Sequence, residues 1–420
     1  METNQDDPYS TDNTHAFIPG QDGASARAVS EARRLLSHFE KAGEKRFELE
    51  RIIGEGAWGV TFKMKIRERS APSHEWRPMR RFVMKRSLTV AARQKIRREE
   101  RVLRRLRGSV HIVQPYSLGD SVSARLMSRL GEGTLLMEWI GNGLLHDVIH
   151  RAADWGHPLP NRLLWRLFLC LCRMVIAMAW PPGGSGTVTP SVEVLPIPNA
   201  GGNRPPKSRL IHGDLNARNI MIGELEPQEH RLVPVLKLID FGSSRDLPKG
   251  LNQPPDPAVK GNLLNIGQIM LTIVGGSHRG GAADMVVRDH GKEKTVKSYA
   301  RDLDGLNRLY KAPASIAARH GEKVKNLDPD LRRLVVLSVA SDVNERLDLE
   351  DLVAAVEHYA TAKTQAHYLG YKYYANESDQ SVARITRELI LGAEDKGVKV
   401  DPWGRAKGLS LESFEIPRLQ

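Results

Sequence analysis

Apolar positions recur along the chain first with the period of strands and later with the period of helices. Leu35, Leu36 and Phe39 share one face of a short amphipathic helix. From Phe47 to Met64 apolar and polar residues alternate around a glycine cluster, which predicts two strands joined by a Gly-rich turn. Phe82-Val83-Met84-Lys85 predicts a third strand, with 71–81 before it as a loop insertion. Over 91–106, Ile96, Glu99, Val102, Leu103 and Leu106 fall at helical spacing. Ile112–Leu118 and Thr134–Ile140 read as further strands.

After Gly141 the pattern turns mainly helical. Leu163–Ala179 is a strongly apolar helix, and Asn262–Val274, Pro329–Ala340 and Leu349–Tyr359 are helical as well. Between them, 181–209 is rich in Pro, Gly, Ser and Asn and predicts a flexible insertion. Short apolar strands around polar loops are expected over 210–242. Near the end, Val382, Ile385 and Leu389 align on a helix over 381–391, which either docks on its own domain or meets a partner. Residues 1–27 lack periodicity and are expected to be disordered. A strand-rich first part and a helix-rich second part predict an α+β fold of two lobes with a cleft between them.

Composition sharpens this picture. The chain has 420 residues, 40% of them hydrophobic and 27% charged, with a net charge of +12. That excludes collagen, a disulfide scaffold and a wholly disordered protein. Two cysteines, Cys170 and Cys172, point to different sides of one helix and are not expected to bond each other. The N-terminus is acidic and polar rather than signal-like, so an intracellular site, cytoplasmic or nuclear, is expected. Arg166 and Arg173 interrupt the most apolar stretch, which therefore reads as a core helix and not a membrane span. The arginines of 93–107 read as a solvated face and not a nucleic-acid surface, because no aromatics interleave with them. His146 and His150 have metal-ligand spacing, but the general-base Glu of a zinc hydrolase motif is absent, and they read as ordinary helix residues.

Four signals carry chemistry. Gly54-Glu55-Gly56-Ala57-Trp58-Gly59-Val60 joins two strands, and glycines there let backbone N–H groups approach phosphate oxygens. Lys85 follows on the next strand, where it can clamp phosphates if an acid holds it; Glu99 is the best acid and Glu100 the rival. His212-Gly213-Asp214-Leu215-Asn216-Ala217-Arg218-Asn219 is the third signal and Asp240-Phe241-Gly242 the fourth. An Asp to accept a hydroxyl proton, an Asn five residues on and a second Asp after a strand suit a magnesium-nucleotide site, because hard oxygens bridge Mg²⁺ to phosphates.

In this order the motifs resemble a eukaryotic-type protein kinase over about 46–360. The resemblance implies a small β-rich lobe with one main helix over 46–140, a larger helical lobe over 141–360, and extensions at 1–45 and 361–420. It implies ATP and Mg²⁺ as cofactors and transfer of phosphate to a Ser/Thr hydroxyl of a protein substrate. Asp214 would take the hydroxyl proton, Asn219 and Asp240 would hold the metal, and Lys85 with Glu99 would position the phosphates. Arg218 would neutralise γ-phosphate charge. Gly54, Gly56 and Gly59 would cover the phosphates, and Val60 would pack on adenine. Met137 would be the gatekeeper, with Glu138 and Ile140 in the hinge. Arg346 resembles a late structural arginine.

The sequence also departs from that pattern. Gly213 stands where many protein kinases have Arg, which makes switching by phosphorylation of the following segment doubtful. Asn262 replaces an Asp, the segment after Asp240 is short, and no Ala-Pro-Glu occurs in it. These departures leave two alternatives, a pseudokinase or nucleotide-binding scaffold, and a small-molecule kinase of the aminoglycoside or choline type.

Overall fold

The computed structural model describes residues 23–43, 45–56, 59–67, 79–118, 121–183, 189–227, 229–250, 255–275, 281–289, 291–304, 323–391, 399–400 and 406–407. The predicted disorder over 1–27 and the loop at 71–81 fall largely outside them. The fold is α+β, and the chain divides into two compact units, 1–104 with 114–139, and 105–113 with 140–420.

The first unit is built on a four-stranded antiparallel sheet, β1 (Phe47–Gly56), β2 (Gly59–Ile66), β3 (Arg80–Ser87) and β4 (Thr134–Glu138), in that order. Strand alternation sends Val60, Phe62 and Met64 of β2, with Phe82 and Met84 of β3, to one face. There they pack against Ala28, Ala32, Leu35 and Phe39 of helix α1 (Ala26–Lys41). Ser25 caps α1 by accepting from the Ala28 N–H. Helix α2 (Val90–Arg105) buries Ile96, Glu99, Val102 and Leu103, as its spacing predicts, while Arg93, Arg97, Arg98, Arg101 and Arg104 stay exposed. The expected strand at Ile112–Leu118 does not form. Its pairings are two isolated bridges, Ile112 with Leu238 and Pro115 with Met137, and Pro115 brings no N–H to a ladder. A helix that the periodicity did not reveal, α3 (Ser121–Ser128), precedes β4.

The second unit is organised by α5 (Asn161–Ala179), which is buried on nearly every side. α4 (Leu145–Trp155) precedes it. α6 (Pro257–Ile273) and α8 (Leu349–Ala362) pack on α5, and α7 (Pro329–Ser338) packs on α6. A Cβ on Gly267 of α6 would meet side-chain carbons of Ser338 and Val339 at 2.8 Å, so glycine is what lets α6 and α7 approach. α6 starts at Pro257, five residues before the predicted Asn262. Pro supplies a first helical residue whose N–H would go unused anyway. Arg173 sits inside this unit with Glu229 at 2.7 Å and Glu357 at 2.6 Å, which explains a charge in so apolar a helix. Among the described residues no helix is long and apolar enough to cross a membrane.

Small ladders carry the polar loops: β5 (Leu210–Ile211) pairs with β8 (Arg245–Asp246), and β6 (Ile220–Ile222) with β7 (Leu236–Leu238). A hairpin of β9 (Ala283–Asp289) and β10 (Lys292–Ser298), unforeseen from the pattern, follows α6. Much of the predicted flexible insertion is tied down. Ser191 bridges Ser109, Glu193 is buried on His111, and Trp180 Nε1 donates to the Pro205 carbonyl at 2.8 Å. Both cysteines are free and buried. The C-terminal helix begins at Asp379 as α9 (Asp379–Ile385) and continues as one π-helical turn, Thr386–Ile390. Its Val382, Ile385 and Leu389 are buried, and Arg151 Nε donates to the Leu389 carbonyl at 2.8 Å. Of the two expectations for this helix, docking on its own domain is the one seen, with Leu389 and Ile390 set among residues of α4 and α5.

Candidate active site

In the first unit the sheet register sets which side chains share a face. Thr61 pairs with Lys85, Lys85 with Leu135, and Val83 with Met137. These residues lie on the face opposite α1. There Lys85 Nζ donates to Glu99 Oε2 at 2.7 Å, and Glu99 is fully buried. The helical spacing that chose Glu99 over Glu100 holds: Glu100 is on the outer side, bonded to Arg104 at 2.6 Å. Val60 does not reach this face. Being one residue from Thr61, it points to α1, so Thr61 and Val83, not Val60, share the face of Lys85.

The glycines of the turn have different reasons. Gly56 pairs with Gly59 where β1 meets β2. A Cβ on Gly59 would strike the Arg86 carbonyl oxygen at 2.3 Å, so that position is closed to any side chain. A Cβ on Gly54 or Gly56 would meet nothing within 4 Å, which leaves open space beside the backbone. Ala57 and Trp58 lie outside the described residues. Glu55 accepts from the Ser25 backbone N–H at 2.8 Å and from its hydroxyl, tying the turn to the start of α1. Those two bonds hold the Glu55 carboxyl below its ordinary value. At the far end of the sheet, Glu138 N donates to the Gln114 carbonyl at 3.0 Å, and its side chain accepts from Gln114 N at 2.8 Å.

In the second unit His212 organises the loop. It is fully buried, and Nε2 donates to the Ile239 carbonyl at 3.1 Å while Nδ1 accepts from the Asp214 N–H at 3.3 Å. Burial holds its pKa below the ordinary value, against the pull of the Ile239 carbonyl and the charges of Asp240 and Asp214. A neutral ring with one donating and one accepting nitrogen fits both partners. Asn262 fixes the strand above: Oδ1 accepts from His212 N at 3.2 Å, and Nδ2 donates to the Leu210 carbonyl at 3.0 Å. An Asp there could accept but not donate, so Asn satisfies a carbonyl that Asp could not.

Gly213 has φ +81, and a Cβ on it would sit 2.5 Å from the Ser243 carbonyl oxygen. The missing Arg is thus excluded by the backbone itself. Asp214 is exposed and held by amides. Its Oδ1 accepts from Asn216 Nδ2 at 2.7 Å, and its Oδ2 from Asn219 Nδ2 at 3.0 Å. Arg218 is exposed, with its N–H capped by Asn216 Oδ1 at 2.9 Å. Ile220 pairs with Leu238, and Ile239 N donates to the Asn219 carbonyl at 2.9 Å, so Asn219 and Asp240 leave the same end of one ladder. With the Asn219 nitrogen donating to Asp214, its Oδ1 is the atom suited to a metal. Asp240 is one of two non-glycine residues at positive φ among those described, at 59°. Such strain collects at functional sites. Arg346 has backbone partners, Ala340 O at 2.9 Å and Ser341 O at 3.4 Å.

The sequence reading missed a buried group of side chains, His111, Cys170, His230 and Glu193. Burial alone would raise the Cys170 thiol pKa, but His230 and His111 outweigh it and hold it low. Burial likewise opposes charge on His111, and the Glu193 carboxylate overcomes it and raises the ring's pKa. No local spacing announces this group, since its members come from distant parts of the chain. His146 and His150, whose spacing is local, bring their Nε2 atoms to 3.2 Å. No family model matches this chain, and no curated protein matches it.

Proposed function

We propose that the chain is a protein kinase of two-lobed fold that transfers the γ-phosphate of ATP to a Ser/Thr hydroxyl of a protein. The observation that carries this reading is the Asp214 carboxylate, exposed yet oriented by two amide donors five and two residues on. That suits a group which must meet a substrate hydroxyl in one orientation. The hydroxyl oxygen bonds to the γ-phosphorus, the bond to the β,γ-bridging oxygen breaks, ADP leaves, and the hydroxyl proton passes to Asp214. In the first unit Lys85, held by Glu99, is the group suited to phosphate oxygens of ATP, and open space lies beside Gly54 and Gly56. Thr61, Val83 and Met137 line the adenine side, and the backbone of Glu138 and Ile140 binds the base edge. Arg218 balances charge on the transferred group. Asn219 and Asp240 offer hard oxygens for Mg²⁺, which neutralises phosphate charge when bound.

The experiment is transfer of labelled phosphate from ATP to a mixed peptide library by wild type, Asp214→Asn and Lys85→Met. Transfer by wild type and its loss in both variants supports the reading; equal transfer in wild type and Asp214→Asn overturns it. A specific observation favours a small-molecule acceptor as the second reading. Because α6 starts at Pro257, only 241–256 separate it from Asp240, little chain for docking a peptide. Labelled transfer to aminoglycosides or choline, with none to peptides, selects that reading. ATP binding without any transfer selects a scaffold.

A further inference from the structure

We propose that His111, Cys170 and His230 form a binding site for a thiophilic transition-metal ion of the zinc class, independent of the active-site reading. Three distant segments supply the donors. His111 lies on the chain running beside β7, where the Leu238 N–H donates to its carbonyl at 2.9 Å. Cys170 is in the middle of α5, and His230 is in the connection between β6 and β7. One donor atom from each lies within 4.8 Å of the others, and all three residues are buried. Cys170 Sγ is 3.8 Å from His230 Nδ1. A tetrahedral zinc with bonds of about 2.3 Å to sulfur and about 2.0 Å to nitrogen needs a separation of roughly 3.5 Å.

The surroundings of each ring select the ligating nitrogen. His111 Nδ1 donates to Glu193 Oε2 at 2.5 Å, so Nε2 is turned to the cluster, and it has no hydrogen-bond partner. A fully buried ring nitrogen left this way is costly unless something binds it. His230 Nε2 is also without a hydrogen-bond partner and lies 3.6 Å from Glu229 Oε2, so Nδ1 faces the sulfur and Nε2 the carboxylate. His111 thus has a carboxylate hydrogen-bonded behind it, the arrangement that orients metal-bound histidines and raises their basicity, and Glu229 stands near the outer nitrogen of His230. Sulfur and imidazole donors exclude Mg²⁺ and Ca²⁺ and suit zinc. The charges also match, since a dication is balanced by the Cys170 thiolate and Glu193 with both rings neutral. Arg173 holds the carboxylate side in place: Nη1 donates to the Glu193 carbonyl at 2.5 Å, and Nη2 pairs with Glu229 at 2.7 Å. Bound there, the ion would fasten α5 to the ladder whose other end carries Asn219 and Asp240.

The test uses the full-length chain, purified without metal-affinity resin and stripped with chelator, then loaded with Zn²⁺ or Co²⁺. Expected are about one equivalent of bound metal per chain and, with Co²⁺, a thiolate-to-cobalt charge-transfer band. The band should persist in Cys172→Ala and vanish in Cys170→Ala. Glu193→Gln should weaken zinc binding roughly 10- to 100-fold. The proposal is overturned if wild type binds no metal above background, leaving a buried thiolate–imidazolium pair. It is also overturned if Co²⁺ binds without a thiolate band, which would place it at the His146–His150 pair, or if Cys172→Ala abolishes the band. The wild-type readings decide even if Cys170→Ala does not fold.

Discussion

Asn219 Nδ2 donates to Asp214 twice, to the carbonyl oxygen at 2.7 Å and to the carboxylate Oδ2 at 3.0 Å. One amide thereby fixes the loop's backbone and its acidic group together, and its own oxygen is left as a ligand atom. On the proposed reading, Asn219→Ala removes an orienting donor and a metal ligand in one step. Phosphate transfer should fall by about 10²-fold or more, the size of a lost general-base contribution. Thermal stability should change little, because the residue is only partly buried. Initial rates with labelled ATP and a melting curve check both parts; unchanged rates would remove Asn219 from the machinery.

Gly213 is a backbone requirement, which a substitution can measure. Gly213→Ala forces a side chain into φ +81 and against the Ser243 carbonyl at 2.5 Å. The expected loss is about 1–3 kcal/mol, read as a lower denaturant midpoint. Gly213→Arg, which restores the residue common in protein kinases, should lose at least as much. A Gly213→Arg protein as stable as wild type would contradict the steric account.

The Lys85–Glu99 pair predicts a non-additive stability cycle. Lys85→Met leaves the fully buried Glu99 carboxylate without its 2.7 Å cation and should cost about 3 kcal/mol. The double variant Lys85→Met/Glu99→Gln also removes the buried carboxylate charge and should recover part of that loss while remaining inactive. Denaturant titrations of the four proteins give the coupling. Simple additivity would mean that the pair does not interact as its geometry indicates.

His212 predicts a pH dependence with a definite sign. Its folded pKa lies below the ordinary 6.5, so the unfolded chain binds the extra proton first. The contribution of the neutral ring is complete above about 6.5 and is lost as pH falls below it. Denaturant midpoints should therefore decline between pH 7 and pH 5, and less steeply in His212→Gln. Equal slopes in the two proteins would show that another group governs the decline.

Local pattern decided a good part of this molecule. Alternation over Phe47–Met64 and around Phe82–Lys85 determined the strands, because a two-residue period leaves only one face for the core. The spacing of Ile96, Val102 and Leu103 determined that Glu99, not Glu100, points inward. The spacing of the loop residues placed Asn219 within reach of Asp214. Val60 shows where this ends: the glycine motif was legible, but which face each neighbour takes depends on the register with β3 and on α1 covering one side. Likewise, only tertiary structure showed that Gly213 answers the Ser243 carbonyl, that the 189–209 chain is fastened to other segments, and that 381–391 has its apolar face already covered. His111, Cys170 and His230 are the extreme case. Their approach to within 4.8 Å comes from packing α5 against strands far away in the chain, and no period in a one-dimensional sequence records a distance across a core.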